Sequence, residues 1–280
     1  MPEGPEVKII AEQLNDLLSG KILNSTHILS GKYCQNLTLL NYREFKNSLP
    51  LQIIEVNSKG KLIFFKFTNG WYLFNSLGMS GTWTQKKVNH CHLQFDFSNP
   101  SNQDKKQQQQ QQQIWFYDMR RFGNLQFSQD QEFISQRLEA IGPDMISHPP
   151  SKQQFIDIFR KKNNWNICKT LMEQSLVSGC GNYLKSETLY QAKISPLYKV
   201  NELSDDQLGQ IYLALKDLIK KSYQMQGTTL ATYKQVDGNK GNFSQFLKVY
   251  QKKKDPFGHK IERIKTPDQR STFWVPIIQK

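Results

Sequence analysis

The chain has 280 residues, enough for two domains with separate cores, and a formal net charge of +13. Its pI near 9.5 and its aromatic content of 12% indicate a polyanionic partner, with nucleic acid as the first candidate. The sequence has no apolar run of about 18 residues, which excludes a membrane-spanning helix, and a secretory signal is not expected.

Four cysteines are spread along the chain without a C-x-x-C pair. We expect free buried thiols in an intracellular, reducing compartment, neither paired as disulfides nor bound to a metal. These cysteines are Cys34, Cys91, Cys168 and Cys180.

The N-terminal stretch Met1-Pro2-Glu3-Gly4-Pro5-Glu6 leads directly into a predicted helix over residues 5–19. Apolar residues recur at helical spacing, and Gly20 ends the helix. The apolar positions are Val7, Ile10, Leu14, Leu17 and Leu18.

Pro2 is a candidate nucleophile. If Met1 is removed, Pro2 has a secondary α-amine with a reference pKa near 8, well below the value of about 10.4 for lysine. More of that amine is neutral at pH 7, so it can attack an electrophilic carbon and form an iminium. Glu3 beside it could donate or accept a proton. The alternative is that Pro2 and Pro5 only start the helix, where proline is favoured.

Residues 21–127 show mainly strand patterns. The apolar runs 61–67 and 71–74 flank Asn69-Gly70, the strongest short signal for a hairpin. The pattern predicts an antiparallel β-sandwich or flattened barrel that includes the N-terminal helix.

A second strand pair is predicted at residues 93–97 and 114–117. The insert between them, residues 98–113, ends in the seven glutamines Gln107–Gln113. Such a segment cannot bury enough apolar surface to order itself, so we expect a disordered hairpin tip.

The second half of the chain shows helical patterns after a Pro-rich and Gly-rich linker at residues 142–150. Ser204-Asp-Asp-Gln207 resembles a capping box that opens a helix ending near Gly227. The fold class is therefore α+β. The other predicted helices span residues 155–161, 167–176 and 183–190, and residues 247–280 are basic and β-like. The predicted division has four parts. Residues 1–141 form the β-sandwich domain, 142–152 a linker, 153–226 a helical domain, and 227–280 a loop followed by a C-terminal β-hairpin.

Several motifs, in this order, resemble the formamidopyrimidine-DNA glycosylase / endonuclease VIII family of base-excision repair enzymes. The resemblance covers essentially the whole chain. The motifs are Pro2-Glu3-Gly4-Pro5-Glu6, Leu77-Gly-Met-Ser-Gly81, Asp118-Met-Arg-Arg-Phe-Gly123, Ser178-Gly-Cys-Gly-Asn182, Gly227-Thr-Thr-Leu230, Asp237-Gly238 and Val249-Tyr250.

This resemblance implies a bifunctional DNA glycosylase and abasic-site lyase. Pro2 would attack the sugar carbon of a flipped-out nucleotide, and Glu3 would move protons, with no metal or other cofactor. Lys61 matches the family's active-site lysine, although a solvated lysine at a strand start would look the same. Glu6 is a second family carboxylate that either orients the site or caps the helix.

The same resemblance assigns DNA contacts. Met79, Arg120 and Phe122 would fill the gap left by the extruded base, whereas the simpler interpretation places Met79 and Phe122 in the β-sandwich core. The expected partner is double-stranded DNA with damaged bases or abasic sites, bound by a monomer away from any membrane. The phosphate-binding residues would be Asn182, Arg270 and Arg121.

The C-terminal finger departs from the family pattern. Many members have four cysteines there that bind zinc, but no cysteine follows Cys180 in this chain. Residues 256–259 and 274–277 stand in their places, so we expect a zincless finger with no metal. The apolar packing expected to hold it involves Ile261, Phe273, Trp274, Val275 and Ile277.

The sequence leaves two questions open: which damaged base is removed, and whether the protein is an enzyme. The finger favours oxidised pyrimidines, formamidopyrimidines and hydantoins, as for Nei-like members, whereas the long segment 227–243 favours an oxidised purine such as 8-oxoguanine. A non-catalytic binder of damaged DNA and an RNA-associated or ribosome-associated protein are the two other hypotheses. The Pro2, Glu3 and Lys61 set argues for the enzyme.

Overall fold

A computed structural model describes residues 2–30, 33, 39–100, 112–229 and 235–280. Cys34, residues 107–111 of the glutamine tract and Leu230 lie outside the described residues. The chain forms two compact units. The first contains Pro2, Glu6–Glu139 and Thr228–Gly241; the second contains Glu3–Pro5, Ala140–Gly227 and Asn242–Lys280.

The first unit is an antiparallel sheet with helices. Among the described residues its strands lie in the order β5-β7-β6-β1-β2-β3-β4-β8. The helices are α1 (Gly4–Leu18), α2 (Tyr42–Asn47) and α3 (Gln131–Glu139). The strands are β1 (Ile22–Ile28), β2 (Leu51–Lys59), β3 (Leu62–Phe67), β4 (Tyr72–Ser76), β5 (Thr82–Thr84), β6 (Cys91–Ser98), β7 (Gln112–Tyr117) and β8 (Asn124–Ser128).

The hairpin signal at Asn69-Gly70 is confirmed. Strands β3 and β4 pair in antiparallel register, with Phe65 opposite Leu73. Both turn residues have positive φ, 59° at Asn69 and 77° at Gly70. Two such residues in succession match the right-handed twist of the flanking strands.

The pairing of β6 with β7 is also confirmed. The insert between them, predicted at residues 98–113, is shorter at both ends. Ser98 is the last residue of β6, and Gln112 and Gln113 are the first residues of β7. Gln113 lies opposite Asp96, and its side chain donates a hydrogen bond to the Asp96 carboxylate at 2.7 Å. Strand pairing and this carboxylate therefore order the last two glutamines of the tract, an effect that their composition does not reveal.

The core of the first unit lies between α1 and the inward face of the strands. Seven of the eight residues of β6 are buried, so burial does not alternate along this strand, although its apolar residues Leu93, Phe95 and Phe97 do alternate and pack in the core. Core residues from α1 are Val7, Ile10, Ala11, Leu14 and Leu18, and those from the strands include Ile63, Phe65, Phe67, Leu93, Phe95, Phe97, Ile114 and Phe116. The predicted apolar stripe of the first helix is thus the surface that packs on the sheet.

The second unit is helical and ends in a β-hairpin. The predicted capping box is present, because Ser204 Oγ accepts from the Gln207 amide and the Gln207 side chain accepts from the Ser204 amide. The helices are α4 (Lys152–Arg160), α5 (Ile167–Met172), α6 (Asn182–Gln191) and α7 (Asp205–Gln224), and the strands are β9 (Glu262–Lys265) and β10 (Ser271–Trp274). The α+β class is confirmed.

Most helix boundaries shift slightly from the predicted ones, and the start of α4 and the end of α5 show the local cause clearly. Helix α4 begins at Lys152 because Ser151 and Gln154 form a capping box. Helix α5 ends at Met172, four residues early, because the Gln174 side chain donates to the Met172 and Cys180 carbonyls and stabilises a turn there.

Residues 142–150, predicted as a linker, pack within the second unit. Asp144 is buried, forms a bridge with Ser178, and accepts from the Ile146 amide at 2.7 Å. Met145 is also buried. The predicted division into four parts stays a prediction.

The finger hairpin, defined as β9, β10 and their turn (residues 262–274), packs on its own small core. Val275 and Ile261 are buried, and Phe273 is partly buried against them. Ile277 was expected in this core, but it is 68% exposed, and Ile278 packs there instead. The turn that follows β10 directs Ile277 outward. No helix in the described part of the chain is long and apolar enough to span a membrane.

Candidate active site

Glu3 is bound to the N-terminus of helix α6. Its carboxylate accepts hydrogen bonds from the backbone amides of Tyr183 at 2.8 Å and Leu184 at 3.2 Å. The side chain is only 2% exposed. These two amides and the positive end of the helix dipole favour the anionic carboxylate.

Glycines make this close approach possible. A Cβ at Gly181 would overlap the Glu3 carboxyl group. The Gly4 amide donates to the Gly179 carbonyl at 2.9 Å, and a Cβ at Gly4 would lie 2.7 Å from Gly179 Cα. The N-terminal segment is therefore fixed by backbone contacts, and Pro2, which is buried, precedes Glu3 directly in the chain.

Glu6 lies in the first turn of α1 and is almost fully buried. Its carboxylate accepts from the Thr228 amide at 2.7 Å. Gln13, two turns along α1, accepts from the Val236 amide at 2.9 Å. Glu6 therefore helps to attach the segment after residue 227 to this helix.

Lys61 lies in the turn between β2 and β3 and is half-buried. The turn begins at Gly60, whose φ is +56°.

The expected gap-filling residues lie on two loops of the first unit, residues 77–81 and 118–123, here called the paired loops. Phe122 is 57% exposed, and the Arg120 guanidinium carbon lies 5.1 Å from the centroid of its ring. Met79 is half-buried, whereas Arg121 is exposed with φ +57°. The alternative that Phe122 is a core residue is therefore wrong.

Asp118 joins the paired loops. It is fully buried, and its carboxylate accepts from Ser80 Oγ at 2.5 Å and from the Gly123 amide at 2.6 Å. Ser80 Oγ also accepts from the Arg120 amide at 2.9 Å. On the other side, His92 Nε2 donates to the backbone carbonyl of Asp118 at 2.8 Å.

Backbone contact brings the paired loops together as well. Gly78 has φ +60°, and a Cβ there would lie 2.5 Å from the carbonyl carbon of Phe122. The Tyr33 hydroxyl donates to the Gly123 carbonyl at 2.8 Å, and burial, with the charge of Asp118, raises the pKa of Tyr33.

Asn182, the first residue of α6, contacts the finger hairpin. Its Nδ2 donates to the Ser271 carbonyl at 3.0 Å and lies 3.5 Å from the Tyr250 hydroxyl. Its Oδ1 is buried without a hydrogen-bond partner in the described part of the chain. Arg270 is exposed in the turn between β9 and β10.

The residues in the finger do not fit a zinc site. The described residues contain no group of three or more His, Cys, Asp or Glu side chains placed to hold a metal ion. His259 Nδ1 instead lies 3.1 Å from the Asp255 carboxylate. Cys168 of α5 contacts Thr272 of the finger hairpin, but burial raises the pKa of Cys168 to about 12, so its thiol remains protonated.

The comparisons with known proteins match this arrangement along its full length. The family models for the formamidopyrimidine-DNA glycosylase N-terminal, H2TH and C-terminal domains match residues 1–125, 141–234 and 235–280. The chain belongs to the formamidopyrimidine-DNA glycosylase family. It is therefore a DNA glycosylase and abasic-site lyase of base excision repair that acts on oxidised bases, and its partner is DNA. The predicted family, enzyme class and partner are confirmed.

Individual relatives agree with the family assignment. The formamidopyrimidine-DNA glycosylase of Protochlamydia amoebophila is 32% identical over all of both chains, and that of Lactobacillus delbrueckii subsp. bulgaricus is 29% identical over 98% of this chain and 97% of its own. Among solved structures, the MutM (Fpg) protein of Thermus thermophilus has a TM-score of 0.84 at 24% identity, covering 99% of this chain and 98% of its own. A MutM complex with DNA containing carbocyclic 8-oxo-G has a TM-score of 0.82 at 25% identity over all of both chains.

Sequence reasoning missed the residues that support the site. Ser80 and Asp118 lie inside the quoted motifs but were not assigned roles, and His92 lies in no motif. Ser80 and Asp118 could have been found from the sequence, because a hydroxyl or carboxylate residue close to a glycine is typical of a hydrogen-bonded turn. No such pattern marks His92.

Proposed function

We propose that the chain excises oxidised bases with the Pro2 amine as nucleophile and cleaves the resulting abasic site through a Schiff base. The amine attacks the sugar carbon that bears the damaged base, and the base departs with the bonding electron pair. Glu3 accepts the proton that the attacking amine loses and transfers it to the ring oxygen as the sugar opens. The product of this step is an iminium between Pro2 and the sugar.

Strand cleavage follows from the same intermediate. The iminium acidifies the neighbouring C–H of the sugar, so loss of that proton expels the 3′ phosphate, and a second elimination expels the 5′ phosphate. Hydrolysis of the iminium then returns the Pro2 amine. No cofactor enters this sequence.

The observation that supports this proposal most strongly is the anchoring of Glu3 on helix α6. A carboxylate held by two amides has a fixed orientation, and the preceding residue in the chain is Pro2. Lys61 and Glu6 are proposed to complete the catalytic set.

The paired loops support the proposed DNA contacts. The ring of Phe122 is exposed and lies beside the Arg120 guanidinium, and the loop that contains both residues is held by the buried Asp118. An exposed apolar ring on a fixed loop is suited to insertion into a duplex. Met79 is proposed to fill the same gap. The phosphate ligands are proposed to be Arg121, Asn182 and Arg270.

For the lesion we propose oxidised pyrimidines, formamidopyrimidines and hydantoins. The names of the relatives support a formamidopyrimidine, and the substitution of the cysteine positions in the finger supports the Nei-like range. 8-Oxoguanine is the second candidate, because the 25% identical MutM structure contains its carbocyclic form. We further propose that the chain works as a monomer in a reducing compartment, with the four-part division given above.

Borohydride trapping on a duplex with one abasic site tests the nucleophile. The wild-type chain without Met1 should give a covalent complex, whereas Pro2→Gly should give less and a chain extended before Pro2 should give none. The matched control is a C-terminal extension of the same length. Equal trapping by both extended chains would contradict the proposal, and so would the absence of trapping in the wild type.

A further inference from the structure

Helix α6 presents a polar face to the finger hairpin. Residues three and four positions apart lie on one face of a helix, and three such residues of α6 form hydrogen bonds to the hairpin. The contacts are Asn182 Nδ2 to the Ser271 carbonyl at 3.0 Å, Lys185 Nζ to the Asp268 carboxylate at 2.5 Å, and the Phe273 amide to Ser186 Oγ at 3.4 Å.

The middle contact is a buried ion pair. The Lys185 side chain is 0% exposed and the Asp268 side chain 5%. Lysine and aspartate are rarely buried this deeply, because removing both charges from water costs more than an ordinary surface pair returns. Because a buried ion pair adds little to the free energy of unfolding, stability alone does not explain why this pair lies between α6 and the finger hairpin.

Asp268 connects this pair to the turn that contains Arg270. The second oxygen of Asp268 accepts from Thr266 Oγ1 at 2.5 Å. Thr266 in turn donates its backbone amide to the Arg270 carbonyl at 3.1 Å. A continuous chain of hydrogen bonds therefore runs from Lys185 to the backbone of Arg270.

Lys185 also lies one residue beyond the amides that bind Glu3. Tyr183 and Leu184 donate to Glu3, and Lys185 follows them on the same helical turn. One helix thus fixes both the carboxylate and the turn with the exposed arginine.

We propose that Lys185 and Asp268 are positioning residues that hold the turn of Arg270 at a set distance from Glu3. The exposed guanidinium then meets a DNA phosphate beside the nucleotide under attack. This inference rests on the proposed phosphate-binding role of Arg270.

The test replaces the pair by apolar residues of similar size, Lys185→Met with Asp268→Leu. Removing both charges of a buried pair is often neutral for stability, whereas Asp268→Asn alone leaves Lys185 buried and unpaired. The matched control is the exposed pair Lys221 and Asp217 of α7, changed to Met and Leu, which has the same residue types and lies in the same unit. Each variant is also made in the Arg270→Ala background.

Two quantities are measured: the thermal unfolding midpoint and the dissociation constant for a duplex with an uncleavable abasic-site analogue. The apolar pair should unfold within a few degrees of the wild type, yet bind about tenfold more weakly, as loss of one charge-assisted contact predicts. In the Arg270→Ala background the same double change should weaken binding no further, because the affected contact is already absent. The control pair should bind as the wild type does in both backgrounds.

Other results would overturn the inference. Wild-type binding by the apolar pair would show that the ion pair does not position Arg270, and full additivity with Arg270→Ala would show that it acts elsewhere. Failure of the apolar pair to fold would assign the ion pair to the fold alone. Wild-type binding by Arg270→Ala itself would instead refute the proposed role of that arginine, so the two failures are distinguishable.

Discussion

The paired loops of the first unit and the finger hairpin of the second both expose arginines, but they are stabilised differently. In the paired loops one buried carboxylate, Asp118, accepts from Gly123 on its own loop and from Ser80 on the other. In the finger hairpin a buried ion pair joins residues 83 positions apart. The first is centred on Ser80 and Asp118, which lie within two motifs, with added contacts from Tyr33 and His92 outside them. The second depends on the tertiary fold.

The strongest way to break the paired loops is Asp118→Ala. It leaves a buried amide and a buried hydroxyl without acceptors, so we expect a loss of about 3 kcal/mol in unfolding free energy. Chemical denaturation measures this loss. Asp130→Ala is the matched control, because Asp130 also accepts two hydrogen bonds, here from two amides, but is exposed at the start of α3, and it should cost only about 1 kcal/mol.

Equal losses for the two aspartates would contradict the account. They would mean that burial of Asp118 adds nothing to its two hydrogen bonds.

A smaller effect is expected for Ser80→Ala, about 1 to 2 kcal/mol, because Asp118 keeps its bond to Gly123. Binding to an abasic-site duplex should also weaken, since the Arg120 amide loses its acceptor. Ser128→Ala is the control. Ser128 is buried and accepts from the Asp130 amide, so a similar stability loss with unchanged DNA binding is expected.

Asp255, which precedes the finger hairpin in the chain, gives the second unit a dependence on pH. Burial raises the pKa of Asp255, but hydrogen bonds from His259, Tyr190 and Phe257 outweigh it, so the pKa is lower than usual. Stabilisation from a carboxyl with a depressed pKa is complete above its unfolded value of about 3.9 and disappears as the pH falls through the folded value.

Wild type should therefore exceed Asp255→Asn in unfolding free energy most clearly above about pH 4, with the difference narrowing below. Denaturant titrations of both chains from pH 7 to pH 3 measure it. A difference that widens on acidification would show that the sign of the pKa shift is wrong.

The smallest change in stability is expected at the tip of the paired loops. Phe122→Ala should alter the unfolding free energy by no more than about 0.5 kcal/mol, because the ring is 57% exposed. Its binding to abasic-site DNA should nevertheless fall, since the inserted ring is missing. A loss of stability as large as that of Ser80→Ala would place Phe122 in the structural support instead.

Local signals predicted the elements that local chemistry decides. Asn69-Gly70 identified the hairpin, because its turn needs two positive φ values in succession, and Ser204 with Gln207 identified the start of α7. The family motifs identified Phe122 and Glu3 as candidate site residues, although the roles of these residues remain proposals.

Features that depend on distant partners were not predictable. The order of Gln113 depends on Asp96 in the neighbouring strand. Lys185 looks like a solvated helix position until the fold places Asp268 beside it. Ile277 and Ile278 are adjacent and equally apolar, so the sequence does not indicate which one the turn directs inward.

Mapping the borohydride-trapped complex by mass spectrometry tests the central claim most directly. The wild-type chain is reduced on abasic-site DNA, digested with nuclease and protease, and searched for the sugar remnant on each peptide. The account predicts the remnant on the nitrogen of Pro2, in a peptide that lacks Met1. A remnant on Lys61 or on any other lysine would contradict it.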